Sequence, residues 1–186
     1  KHFQRLLGLL DPAKTAIGGQ SSPGTLQIAP TVLDRVTDSD PVNSGVAVGD
    51  SLPHFAVTLN NGHTLATDSL KGKISVITFF NTSCQDCRKE LPEIDKLREA
   101  YSANPDIVTF AIARNESAES IAAYWSANNL HIPWSAQPDN AVYSLFATVG
   151  IPRIYISDRQ GIIVAAYGDT DSPSFASLSL KIESLL

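Results

Sequence analysis

Cys84 and Cys87 are the only two cysteines in the 186-residue chain, and only Gln85 and Asp86 separate them. At that spacing one thiolate can attack a foreign disulfide, and the second can resolve the mixed disulfide that results. Two cysteines are too few for the disulfide framework of a small secreted fold or for a four-thiolate zinc site. Redox chemistry is therefore expected, with no metal and no cofactor beyond the two thiols. Upstream, the apolar run ending in Phe79-Phe80 passes into Asn81-Thr82-Ser83, and the cysteines then open an amphipathic stretch. At the start of a helix, unpaired backbone N–H groups and the positive end of the dipole stabilise an anion. Cys84 is thus expected to be the exposed nucleophile, and Cys87, one turn later, the more buried resolving thiol. A structural disulfide or idle thiols would be the plainer reading, but the strand–loop–helix setting and the lack of other cysteines argue against it.

A second signal is Gly150-Ile151-Pro152-Arg153, placed just before an apolar run. Proline cannot donate to a sheet ladder, which confines it to strand starts and edges. X–Pro bonds are the ones for which the cis form costs little. A cis Pro152 facing the cysteines would offer the Ile151 backbone to an incoming chain as a pairing edge. Alone, Pro152 is an ordinary loop proline; beside the cysteine pair it is informative.

The elements that must position these residues follow from hydrophobic periodicity. Residues 54–59 and 63–67 read as strands joined by the turn Asn60-Asn61-Gly62, and 68–72 as a capped helical turn. The β-branched and aromatic run 74–80 reads as a central strand buried on both faces. Residues 84–101 form a helix with Leu91, Ile94, Leu97 and Tyr101 on one stripe, and Pro92 should kink it. A strand at 107–113, a helix at 117–128, a short strand near 132–134 and a short helix at 140–146 come next. Strands at 153–157 and 162–167 form a hairpin, and a last helix starts near Asp171 or Ser172 with Pro173 in its first turn. This alternation indicates an α/β domain with a mixed sheet flanked by helices. Trp125 and Trp134 belong in its core, the latter within reach of the site.

The domain is expected to span 47–186, after an N-terminal extension or tether at 1–46 whose middle is rich in Ser, Thr, Pro and Gly. The segment Thr25-Leu26-Gln27-Ile28 within it has the composition of a short edge strand. A hydrophobic content of 43% can furnish a sizeable core. The net charge of −5 comes from interspersed acids and bases, with no basic stripe to follow a nucleic-acid backbone. No stretch approaches the roughly 20 apolar residues of a membrane span. The opening Lys1–Leu10 has no initiating Met, so the true N-terminus, and any membrane anchor, is expected upstream of residue 1. The four histidines, at positions 2, 54, 63 and 131, lie beside no acidic cluster and read as surface residues. The sequons at Asn81 and Asn115 are read as chance matches.

The region from Val48 to the C-terminus resembles the thioredoxin-like reductases of the TlpA and ResA type, within the AhpC/TSA–Redoxin superfamily. The resemblance rests on residues 48–55 (Val-Gly-Asp-Ser-Leu-Pro-His-Phe), 70–73 (Leu-Lys-Gly-Lys) and 84–92 (Cys-Gln-Asp-Cys-Arg-Lys-Glu-Leu-Pro). It continues through 149–153 (Val-Gly-Ile-Pro-Arg) and 156–161 (Ile-Ser-Asp-Arg-Gln-Gly). It implies a thioredoxin-like fold, export to a bacterial cell envelope, and frequent anchoring. It further implies a monomer that reduces protein disulfides, those of cytochrome c maturation included, with electrons from a membrane donor. The departures carry information of their own. Family members usually have Trp where this chain has Ser83, and Pro where it has Asp86, so the site should be more polar. Thr78 stands where thioredoxin has a buried acid, so the base for Cys87 must lie elsewhere. A peroxiredoxin would need a Thr three residues before its reactive cysteine, and Asn81 occupies that place. Copper chaperones of the same superfamily separate their cysteines by three residues, not two. A non-enzymatic binding module with vestigial thiols is the remaining alternative, disfavoured by the presence of both cysteines together with Pro152.

Ser83, Gln85, Asp86 and Arg88 are thus the residues expected to tune the pair. Asp86 disfavours a neighbouring thiolate, whereas Arg88 and Lys89 act the other way. Replacing Asp86→Asn is expected to make the disulfide easier to reduce. An unchanged equilibrium with thiol–disulfide buffers would remove Asp86 from the account.

Overall fold

The structure, a computed structural model, describes residues 45–186. In chain order these residues form β1 (Ala56–Thr58), β2 (Thr64–Ala66), a 3-10 turn (Thr67–Leu70) and β3 (Ile74–Phe80). There follow α1 (Gln85–Ala100), β4 (Ile107–Ala113), α2 (Ala118–Ala127), β5 (Trp134–Ser135) and a second 3-10 turn (Tyr143–Leu145). The chain ends with β6 (Arg153–Ser157), β7 (Ile163–Tyr167) and α3 (Phe175–Glu183).

All seven residues of β3 are buried, as its unbroken apolar run requires of a strand covered on both faces. It lies at the centre of a five-stranded sheet ordered β5-β4-β3-β6-β7. Strands β3, β4 and β5 run parallel, β6 is antiparallel to β3, and β7 is antiparallel to β6. Parallel neighbours need a crossover element, and α1 and α2 supply the two crossovers. Because side chains alternate across a strand, β3 feeds two cores. Ile74, Val76 and Phe80 pack with α1, α2 and α3 through Leu91, Ile94, Ile121, Trp125, Leu178 and Ile182. Ile77 and Phe79 face the other way, toward Phe55, Val57, Tyr143 and Phe146 from the β1–β2 hairpin and the second 3-10 turn. The result is the expected thioredoxin-like α/β architecture. Gly45 and Val46 both donate to the carbonyl of Phe146, at 2.8 and 3.0 Å. The segment Thr25–Ile28 lies outside the described residues.

The expected boundaries shift at the edges of the fold. β1 and β2 have three residues each, because beyond them Thr67 takes over the pairing: its hydroxyl donates to the Pro53 carbonyl at 2.8 Å and accepts from the Phe55 N–H at 2.9 Å. The segment 140–146 holds a 3-10 turn of three residues rather than a full helix. α3 starts at Phe175, with Ser174 as its cap accepting from Ser177 N, so Pro173 precedes the helix. Asp171 is engaged elsewhere, accepting from Gly168 N at 2.5 Å. α1 runs unbroken through Pro92.

Ser75 and Ser157 share a 2.6 Å hydrogen bond between β3 and β6 with no exposure to solvent. A buried hydroxyl that loses its partner keeps its desolvation penalty. Ser75→Ala is expected to lower unfolding stability by about 1–2 kcal/mol. Ser75→Ala with Ser157→Ala together should cost less than the two single changes summed, as read from urea denaturation midpoints.

Candidate functional site

The site lies where β3 ends and α1 begins. Cys84 has extended backbone angles (φ −76°, ψ 121°) and is the N-cap of α1, its sulfur accepting from the Cys87 N–H at 3.3 Å. One free donor of the first turn is therefore met by the thiol itself. Cys84 is half-buried and Cys87 fully buried. Burial pushes the Cys87 thiol far above its ordinary range, and its hydrogen bond with Cys84 adds to the rise. The two sulfurs thus sit in different surroundings, one facing out and one packed against the core.

Opposite Cys84 is the loop before β6. The Ile151–Pro152 bond is cis, and the Cys84 thiol donates to the Ile151 carbonyl at 3.5 Å. Gly150 has φ +81°, and a Cβ there would come within 3.1 Å of an Asp169 carboxylate oxygen and 3.2 Å of Arg153 Nη2, so both the backbone and the space demand glycine. Arg153, 4% exposed, donates to the Val149 carbonyl at 2.7 Å. Tyr143 donates to the Gly150 carbonyl at 2.7 Å, with the Arg114 guanidinium 4.5 Å above its ring. The loop that faces Cys84 is held from behind by two side chains, Arg153 and Tyr143, with Arg114 stacked on the latter.

The loop bearing Cys84 is held as closely. Asn81 Oδ1 accepts from the Ser83 N–H at 2.9 Å and the Ser83 hydroxyl at 2.6 Å, and Asn81 Nδ2 donates to the Arg114 carbonyl at 3.1 Å. The buried Thr82 N–H donates to Glu116 Oε2 at 2.8 Å, and the Thr82 hydroxyl donates to Glu116 Oε1. From the other side, Arg88 Nε donates to the Thr82 carbonyl at 2.5 Å, its guanidinium 5.5 Å from the centre of the Tyr124 ring. Asp86 is exposed and paired with Lys89 at 2.9 Å.

Of the residues expected from sequence, Cys84, Cys87, Ile151 and Pro152 converge, and Ser83, Gln85, Asp86 and Arg88 surround them. Ser83 turns its hydroxyl back onto Asn81, and Gln85 is exposed. Trp125 and Trp134 are both buried, with ring centroids 6.2 Å apart.

Two acids escaped the sequence reading. Glu90 lies three residues after Cys87, on the same face of α1, and is 3% exposed with Oε1 lacking a hydrogen-bond partner. Its burial pushes the carboxyl up to about 7; a hydrogen bond with Ser172 opposes this, and the charges of Glu93 and Asp171 reinforce it. Its place on the helical stripe that carries Cys87, Leu91 and Ile94 was a legible signal. Glu116 gave none, because it reaches Thr82 across 34 positions of sequence. Thr78 Oγ1, buried in β3, has no hydrogen-bond partner.

This junction, with a capping thiol at the start of α1 facing the Ile151–Pro152 loop, is set in a thioredoxin fold, and the chain is related to thiol–disulfide oxidoreductases. The chain belongs to the AhpC/TSA family, whose model matches residues 48–166. It is 27% identical over 122 residues to the thioredoxin-like protein YneN of Bacillus subtilis, covering 64% of this chain and 70% of that one. It is 23% identical over 117 residues to the thiol-disulfide oxidoreductase ResA of Bacillus cereus, covering 63% and 67%. Among solved structures, a candidate protein disulfide isomerase of Bacteroides thetaiotaomicron superposes with a TM-score of 0.72 at 30% identity, covering 77% of this chain and 92% of that one. A 58-residue stretch is also 50% identical to part of aldehyde dehydrogenase family 3 member B1 of Rattus norvegicus. It spans 12% of that protein, too little to carry an activity across.

The Glu90 shift has a consequence for stability. A carboxyl raised from 4.5 to about 7 on folding contributes fully below the unfolded value, and that contribution is lost as pH rises through the folded one. Between about pH 5 and pH 8 the native protein is therefore expected to lose roughly 2 kcal/mol relative to Glu90→Gln. Parallel denaturation curves for the two proteins across this range would exclude the buried carboxyl as the cause.

Proposed function

We propose that the protein reduces disulfides of other proteins through a Cys84–Cys87 dithiol. The observation that carries this reading is the position of the Cys84 sulfur, which caps α1 3.3 Å from the Cys87 N–H and lies 3.5 Å from the Ile151 carbonyl beside cis Pro152.

A substrate chain pairs with the backbone at Ile151, which brings its disulfide over Cys84. The Cys84 thiolate attacks one substrate sulfur, the substrate S–S bond breaks, and the other sulfur leaves as a thiolate that takes a proton. Cys87 then gives up its proton and attacks the Cys84 sulfur. The mixed disulfide breaks, the second substrate thiol departs, and the protein is left with a Cys84–Cys87 disulfide. The substrate has gained two electrons and two protons; an external dithiol donor must return them to the protein. The raised Cys87 thiol needs a base for the second step. Glu90, one turn further along α1 and titrating near neutrality, is the group we assign to it.

The reading extends to setting. We place the substrates among envelope proteins and the donor in the membrane, in keeping with the resemblance to ResA-type reductases, with the segment 1–46 as a tether ahead of the domain. Val149 and Leu145, exposed at 48% and 43% close to the Ile151 loop, offer apolar contact to a partner chain.

The test is a pair of single replacements assayed on a peptide disulfide. Cys84→Ser is expected to reduce turnover by at least about a hundredfold. Cys87→Ser should retain the first attack and accumulate a mixed disulfide at Cys84, visible by mass. Turnover surviving Cys84→Ser, or an adduct that forms at Cys87 instead, would overturn the assignment.

A further inference from the structure

We propose that Glu116 is a positioning residue of the redox site, acting through Thr82 to hold the loop that delivers Cys84 and biasing the balance between dithiol and disulfide. The inference rests on Cys84–Cys87 being the redox pair, and it concerns what fixes the first sulfur in place.

Three donors converge on one carboxylate. The Thr82 N–H reaches Oε2 at 2.8 Å, while the Thr82 hydroxyl and the Ser120 hydroxyl, the latter at 2.7 Å, both reach Oε1. Only an acceptor-only group satisfies such a set without reorienting a hydroxyl. Ser120 lies in the first turn of α2, an end of the helix where a negative charge is favoured. Glu116 is itself fixed: its N–H donates to the Gln137 carbonyl at 2.8 Å, forming an isolated bridge beyond the end of β4.

The peptide units that Glu116 grips are those leading to the nucleophile. Thr82 is 6% exposed and stands two residues before Cys84. Its N–H is taken by Glu116 and its carbonyl by Arg88, so charged side chains anchored on two different elements hold both of its polar backbone groups. Between Thr82 and Cys84, Ser83 folds back on Asn81, so both residues ahead of the nucleophile are held. Because the grip on Thr82 sets where Cys84 stands, it bears unequally on the dithiol and disulfide forms, which need that sulfur in different places.

A bond that merely supports the fold weakens the oxidised and reduced proteins alike and leaves their ratio unchanged. A bond that positions the nucleophile does not. Three readouts separate the two cases: equilibration with glutathione buffers, the pH profile of Cys84 alkylation by iodoacetamide, and the denaturation midpoints of both redox forms. Glu116→Gln keeps the shape and removes the charge. By weakening the charge-assisted hold on Thr82, it is expected to change the dithiol-to-disulfide ratio about threefold and to alter the Cys84 alkylation profile. Glu116→Ala also removes the grip, and should cut turnover on the order of tenfold with KM for a peptide disulfide nearly unchanged. Thr82→Val should add little once Glu116→Gln is present, because both act through one contact. If Glu116→Gln leaves the glutathione equilibrium and the alkylation profile at wild type while both midpoints fall together, Glu116 is a structural residue and the proposal fails. Absence of any reversible couple in the wild-type protein would instead sink the redox reading. The alkylation profile would still decide whether Glu116 governs Cys84.

Discussion

The hydrogen bond from the Cys87 N–H to the Cys84 sulfur is the interaction on which the site depends. A helix needs a cap, and here the cap is the reactive atom, so the element that positions the chemistry and the chemistry itself share one bond. Nothing about that bond is local in origin. α1 starts where it does because β3, buried along its whole length, ends at Phe80 and leaves Asn81–Ser83 to turn the chain. Asn81 makes that turn with its own side chain. The sheet fixes the strand, the strand fixes the turn, and the turn brings the first thiol to the helix end while the second faces the core.

Around this junction the polar groups divide into two layers. Cys84, Ser83, Gln85 and Asp86 lie toward solvent. Behind them Glu116, Arg88, Arg153 and Tyr143 hold backbone carbonyls and N–H groups of the two facing loops. An isolated surface charge pair such as Asp86–Lys89 adds little to stability. The charges that matter are those bonded to buried backbone, where a lost partner leaves a desolvated group unpaired.

The fold and the centre of the site were legible because their signals are short in sequence. Two thiols three positions apart, an unbroken apolar strand before them and a proline at a strand start each fall within ten residues. The alternation of strand and helix periods likewise gave the α/β order. What sequence did not disclose was contact across distance. Glu116 belongs to the site through a hydrogen bond to Thr82 that no periodicity announces. Glu90 sits on an apolar stripe where a carboxylate is out of place, and only its burial in the fold shows why its carboxyl is pushed up to about 7. The helix expected at 140–146 shrank to a single tight turn, as its backbone serves instead to dock Gly45 and Val46. The last helix lost its predicted first turn to Asp171, which bonds the chain before it.

The two edges of the sheet bear on how this molecule meets other chains. β5 contributes only two residues, directly after Pro133. At the other edge, the start of β7 is occupied by its own chain, with Gly49 N donating to the Ile163 carbonyl and Ile163 N to the Asp50 carbonyl, both at 2.8 Å. Long open edges invite strand-to-strand aggregation; here one edge strand is two residues long and the other is partly paired by its own chain. An extended chain therefore meets strand already paired at the start of β7 and a strand of only two residues at β5. The backbone at Ile151 is a place of a different kind, short, polar and directly in front of a thiol. The outline of the sheet thereby bears on where another extended chain can pair, before any of its side chains is read.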